Sequence, residues 1–157
     1  MRYQDKYDEI RTTGEAIQTA AQDSGVDARA ILCIIMQESG GNVRVGNTSC
    51  WQGVVNKGIV QTHDGARFNP GNPEGSIRQM VVDGTIGTSS GDGLKQCLEH
   101  RGWNYYVAFR EYNSGALGVN RMIQVMEWVE QAAHLMYQTS YRTRRSPSSL
   151  YETSICC

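Results

Sequence analysis

The sequence predicts a mostly α-helical domain built around one central buried helix. Three observations carry this. Residues 30–36 are apolar on every face, which suits a helix at the middle of a fold. Apolar residues recur at helical spacing near both ends of the chain. Residues 42–72 are rich in Gly and Asn and alternate only weakly, so they read as loops with at most a small β-hairpin and a helical turn near Gln61.

Taken in order, Ile10, Thr13, Gly14, Ile17, Ala20 and Ala21 mark a first helix over residues 3–23, stopped by Ser24 and Gly25. Asp27 is a good N-cap for the second, with Val26 and Ile31 placed as a hydrophobic staple. Gln37-Glu38-Ser39 ends that helix, and Gly40-Gly41 caps it. Asn72-Pro73-Glu74 opens a third helix that runs through Met80 and Val81. Residues 84–93 are a break, 94–100 a short helix, and 103–112 helical despite their aromatics. Val119, Met122, Ile123, Met126, Val129, Ala133, Met136 and Tyr137 form one apolar stripe on a last helix, residues 119–137. Residues 1–139 form the domain; the polar tail 140–157 is stapled to it or packed on it.

At 157 residues the chain has the size of one domain, and its 39% hydrophobic content is enough for one core. A net charge of -1 speaks against a nucleic-acid surface. No apolar run approaches the roughly 18 residues that would point to a membrane span. The five cysteines, Cys33, Cys50, Cys97, Cys156 and Cys157, lack zinc-ligand spacing. They favour disulfides, hence a secreted protein, with Cys50–Cys97 a candidate pair and Cys33 a candidate buried thiol. A monomer is expected, with no cofactor and no metal.

Glu38 is the residue most suited to chemistry. It ends a helix that reads as buried, and both desolvation and the partial negative charge of a helix C-terminus disfavour its charged form. A carboxylic acid held protonated near neutral pH can protonate a glycosidic oxygen. Gly40 and Gly41 leave room beside it for a bulky substrate.

Glu38-Ser39-Gly40-Gly41-Asn42 resembles the first motif of the soluble lytic transglycosylase and goose-type lysozyme group. In the same order, Gly58-Ile59-Val60-Gln61 resembles the group's Gly-Leu-Met-Gln motif. Asn72-Pro73-Glu74 with Ser76-Ile77-Arg78 resembles the helix that follows, and Glu111-Tyr112-Asn113-Ser114-Gly115 resembles its Ala-Tyr-Asn-Ala-Gly motif. The likeness spans residues 5–137. It implies a lysozyme-like fold with the acid facing a cleft between two lobes. It implies Glu38 as general acid, Ser39 and Gln61 lining the cleft, Tyr112 hydrogen-bonded to the Glu38 carboxyl, and Asn113 holding a sugar substituent or the local backbone. The implied substrate is a β-1,4-linked polymer of N-acetylated amino sugars, with peptidoglycan first and chitin second.

The sequence departs from the group in its acids. Residues 49–58 hold no Asp or Glu, whereas Thr62-His63-Asp64 follows Gln61, and Glu111 stands where Ala is usual. Asp64 or Glu111 is therefore a possible second acid, which would activate water; without one the substrate's own hydroxyl must attack. His63 is a candidate contact to substrate. Trp51, Trp103, Tyr105 and Tyr106 are candidates for stacking on sugar, Trp51 foremost because it lies in a loop near the proposed cleft. A carbohydrate-binding protein without turnover and a structural protein are the rival readings.

Overall fold

The computed structural model describes residues 5–49 and 53–115. The expected helix 119–137, the tail, Cys50 and Trp51 lie outside the described residues. Within them are five helices and a small antiparallel sheet, so the chain is mostly helical.

Helix α1, Tyr7–Ser24, begins where the Glu9 carboxylate accepts the Lys6 backbone N–H at 2.9 Å. It ends at Gly25, whose left-handed φ of 76° lets its N–H reach the Ala21 carbonyl. Its inner stripe, Thr13, Ala16, Ile17 and Ala20, packs chiefly on α3. Helix α2, Ala28–Ser39, is capped by Asp27, which accepts the Arg29 N–H at 2.9 Å. Ala30, Ile31, Cys33, Ile34 and Ile35 are buried, so α2 is the central helix that its sequence predicts. Gly40, at φ 63°, terminates it. The chain then turns back along α1, where Arg44 grips the buried Glu9 through two hydrogen bonds, 2.7 and 2.8 Å, and lies over the Phe68 ring.

Residues 42–72 hold more regular structure than the expected hairpin. Strands β1 (Thr48–Ser49), β2 (Val55–Lys57) and β3 (Thr62–His63) form a three-stranded sheet in that order. Asn56 pairs with Thr48 on one side and His63 on the other. The stretch near Gln61, expected to be a helical turn, is the tight turn between β2 and β3, closed by Gln61 N–H on the Gly58 carbonyl at 3.0 Å. The turn drives Ile59 and Val60, 0% and 2% exposed, into the core. Gly84 of the next helix receives Val60: a Cβ there would stand 2.4 Å from Val60 Cγ1.

Helix α3, Pro73–Ile86, starts on Asn72, which accepts the Gly75 N–H at 3.1 Å, with Pro73 in its first turn. It runs past the break expected at residue 84, because Gly84 is a packing contact rather than a stop. Helices α4, Leu94–His100, and α5, Tyr105–Ser114, pack on one another. Tyr105 joins α5 to the start of α2 by accepting the Asp27 N–H. Leu94, Leu98, Ala108 and Phe109 complete the core with the α2 isoleucines. Each fully buried aliphatic side chain there contributes roughly 1.5–3 kcal/mol.

Cys97 faces that core, 3% exposed, and its thiol is free. The suggested Cys50–Cys97 bridge is therefore not made; the sulfur packs as a small apolar group instead. Among the described residues no helix is long and apolar enough to cross a membrane.

Candidate active site

The end of α2, the sheet, the loop after α3 and the C-terminal half of α5 enclose a cleft of about 640 Å³. Glu38, Gln61, His63, Glu111, Tyr112 and Asn113 all border it. Residues from three separate motifs thus meet in one place.

Glu38 comes from the last turn of the central helix, so its carboxyl leaves the core only at the cleft. Burial pushes its pKa from the ordinary 4.5 to about 7. No salt bridge reaches it among the described residues, which leaves the neutral acid as a proton donor near neutral pH.

Gln61 takes a left-handed backbone, φ 49°, at the end of the β2–β3 turn. Its amide donates to the carbonyls of Gly46 and Gly58 at 3.2 and 3.0 Å, and its carbonyl accepts Thr48 Oγ1 at 2.8 Å. It therefore knits the sheet wall together while bordering the cleft.

Tyr112 borders the cleft, but its hydroxyl donates to the Val60 carbonyl at 3.1 Å rather than to Glu38. The hydrogen bond implied by the resemblance is thus replaced by one that ties α5 to the β2–β3 turn. Burial holds the Tyr112 hydroxyl well above its ordinary pKa, and the nearby charge of Glu38 adds to the effect. Asn113 is exposed on the cleft wall.

Ser39 does not border the cleft. Its hydroxyl donates to the Ile35 carbonyl at 3.0 Å and accepts the Gly41 N–H at 3.2 Å, so it finishes the helix. His63 is exposed at the cleft edge, and its ring side packs on Gly91, where a Cβ would stand 2.8 Å from His63 Cβ.

The two candidate second acids separate. Asp64 sits in a turn at φ 49°, off the cleft, with its carboxylate 3.2 Å from Lys57 Nζ. Glu111 is on the cleft wall but only 8% exposed. Burial alone would raise its pKa; the hydrogen bonds and charges of Arg101 and His100 outweigh that and hold it below the ordinary value. One of its oxygens faces His100 Nδ1 at 3.1 Å and the other accepts Arg101 Nε. It is a fixed counter-charge that anchors α5 to the end of α4.

The acid that the sequence reading passed over is Asp92, exposed on the cleft wall in the loop between α3 and α4. An Asp between glycines carries the signature of a turn, and nothing local separates it from Asp64. Among the described residues the aromatic candidates do not gather at the cleft. Trp51 lies outside the described residues. Trp103, 45% exposed, is beside Gly25, Tyr105 is bonded to Asp27, and Tyr106 is exposed away from the cleft lining. Among the described residues no three His, Cys, Asp or Glu converge to hold a metal.

Comparison of the chain with protein-family models, with curated proteins and with solved structures gives no match.

Proposed function

We propose that this protein cleaves β-1,4 glycosidic bonds in a polymer of N-acetylated amino sugars, with Glu38 as the general acid and peptidoglycan as the first substrate. The observation that carries the reading is the meeting of Glu38, Gln61, Tyr112 and Asn113, from distant segments, around one cleft. They arrive there together with the acid at a helix end and desolvated, the state that protonation of a leaving oxygen needs. Asn113 offers its amide to the hydroxyl and acetamido groups of a sugar, while Gln61, its amide protons held by the Gly46 and Gly58 carbonyls, keeps the sheet wall of the cleft in place. A lysozyme-like fold is part of the same proposal, supported by the central helix that delivers Glu38 and by the small sheet beside it. Action on cell-wall polymer places the working site outside the cell.

The test is mass spectrometry of products released from purified peptidoglycan and from chitin oligomers, with wild type beside Glu38→Gln. Wild type should release fragments, and the variant should lose about 10²–10⁴-fold in rate while still binding the polymer. Release that is equal in the two proteins would remove Glu38 from the chemistry. Binding with no release by either would replace the enzyme with a carbohydrate-binding protein.

A further inference from the structure

We propose that Asp92 is a second catalytic residue of this cleft, the base that takes a proton from an attacking water, so that the glycan is hydrolysed with inversion. The inference rests on the glycan-cleaving role of Glu38 proposed above.

Elimination brings Asp92 forward. Asp64 is off the cleft and faces Lys57. Glu111 has both oxygens engaged by His100 and Arg101. Among the described residues Asp92 is the remaining carboxylate beside Glu38 on the cleft wall, exposed and in no salt bridge.

Its loop is built to hold it there. Gly87 takes φ 88° to leave α3. A Cβ at Gly93 would stand 2.3 Å from Gly87 N, so the two ends of the loop touch. Thr88 donates its hydroxyl to the His63 carbonyl at 2.8 Å, and its backbone bridges to Gly91. Gly91 in turn presses on the His63 side chain. The Gly93 N–H is held by Gln96 Oε1 at 3.1 Å. Residues 87–93 are therefore pinned to β3 at one end and to α4 at the other, with glycine required at the close approaches. A loop fixed in this way on a rigid scaffold can present one side chain reproducibly. Glu38 reaches the cleft from the end of α2 and Asp92 from the loop after α3, and an inverting pair needs room between its acids for a water on the far side of the sugar.

The step balances. Glu38 gives its proton to the glycosidic oxygen, and the C1–O bond breaks with its electron pair left on that oxygen. A water oxygen bonds to C1 from the opposite face, and its proton passes to Asp92. Solvent returns the proton from Asp92 to Glu38. One water is consumed, and nothing is oxidised or reduced.

The experiment digests peptidoglycan in heavy-oxygen water with wild type, Asp92→Asn, Asp92→Glu and Glu38→Gln, and reads products by mass spectrometry. Wild type is expected to give reducing ends carrying the heavy oxygen. Asp92→Asn should lower their yield about 100-fold, and Asp92→Glu should restore part of it. The ratio of labelled reducing ends to anhydro-muramoyl ends is read within each sample, so it does not depend on how much variant folds. An unchanged ratio and rate in Asp92→Asn overturns the proposal, as does a wild type that yields only anhydro-muramoyl ends. The latter leaves glycan cleavage by Glu38 standing. Wild type that releases nothing removes the underlying reading and Asp92 with it.

Discussion

Replacing Glu38 by Gln should make the protein more stable at pH 8 while leaving its stability at pH 4 nearly unchanged. The carboxyl is desolvated at the end of α2, and its pKa rises from 4.5 in an open chain to about 7 in the fold. The folded state thus binds this proton more tightly than the unfolded state. Its stabilising contribution is complete below about pH 4.5 and is lost as pH rises through about 7. At about 1.36 kcal/mol per tenfold in proton affinity, the loss reaches about 3 kcal/mol. Gln has nearly the same shape and no charge to desolvate, so it escapes the loss. Urea unfolding of both proteins at pH 4 and pH 8 isolates the effect, because the other carboxylates cancel in the difference. The stability gap between variant and wild type should widen by about 3 kcal/mol toward pH 8. A gap that stays within about 0.5 kcal/mol across that range would refute the desolvation of Glu38. The measurement needs no substrate, so it tests the acid independently of the reaction.

Two further outcomes follow from the packing. Gly58→Ala forces a side chain into φ 73° and sets a Cβ 2.4 Å from the Ala66 carbonyl oxygen. Left-handed strain and overpacking together should cost about 3 kcal/mol in chemical denaturation, and a cost under about 1 kcal/mol would show that the β2–β3 turn can shift. Glu111→Gln removes the charged hydrogen bonds to Arg101 and His100 from a buried site and should cost about 2 kcal/mol at pH 7. The Glu111 pKa is lowered in the fold, so its contribution is present above the ordinary 4.5 and is lost as pH falls through the lower folded value. Unfolding curves of variant and wild type should therefore converge in acid, and a constant offset would rule out the ion pair.

Local pattern was enough for the helices. The all-apolar run of α2, the Asp27 cap and the Gly40 stop are statements about neighbouring residues, and the helix lies over Ala28–Ser39 as they require. Asn72-Pro73 likewise marked the start of α3, and α4 spans Leu94–His100 as its pattern indicates. The position of Glu38 at the end of a buried helix, and with it the lift of its carboxyl, was already implicit in the chain.

What tertiary structure alone decided is which distant groups meet. Gly84 reads as a helix breaker by propensity, yet the fold uses its missing side chain to seat Val60, and α3 continues to Ile86. The three short strands are too brief to carry an alternation signal; they exist because the β2–β3 turn buries Ile59 and Val60 and so fixes their register. Asp64 and Asp92 are alike in sequence, each beside a glycine in a polar loop. Lys57 draws one aside, and the contact of Thr88 and Gly91 with His63 brings the other to the cleft. Cys97 reads as a bridge partner until α4 turns it into the core. Periodicity and capping are short-range and can be read along the chain; the partner of a carboxylate, a thiol or a tyrosine hydroxyl is set by packing between segments that the sequence keeps far apart.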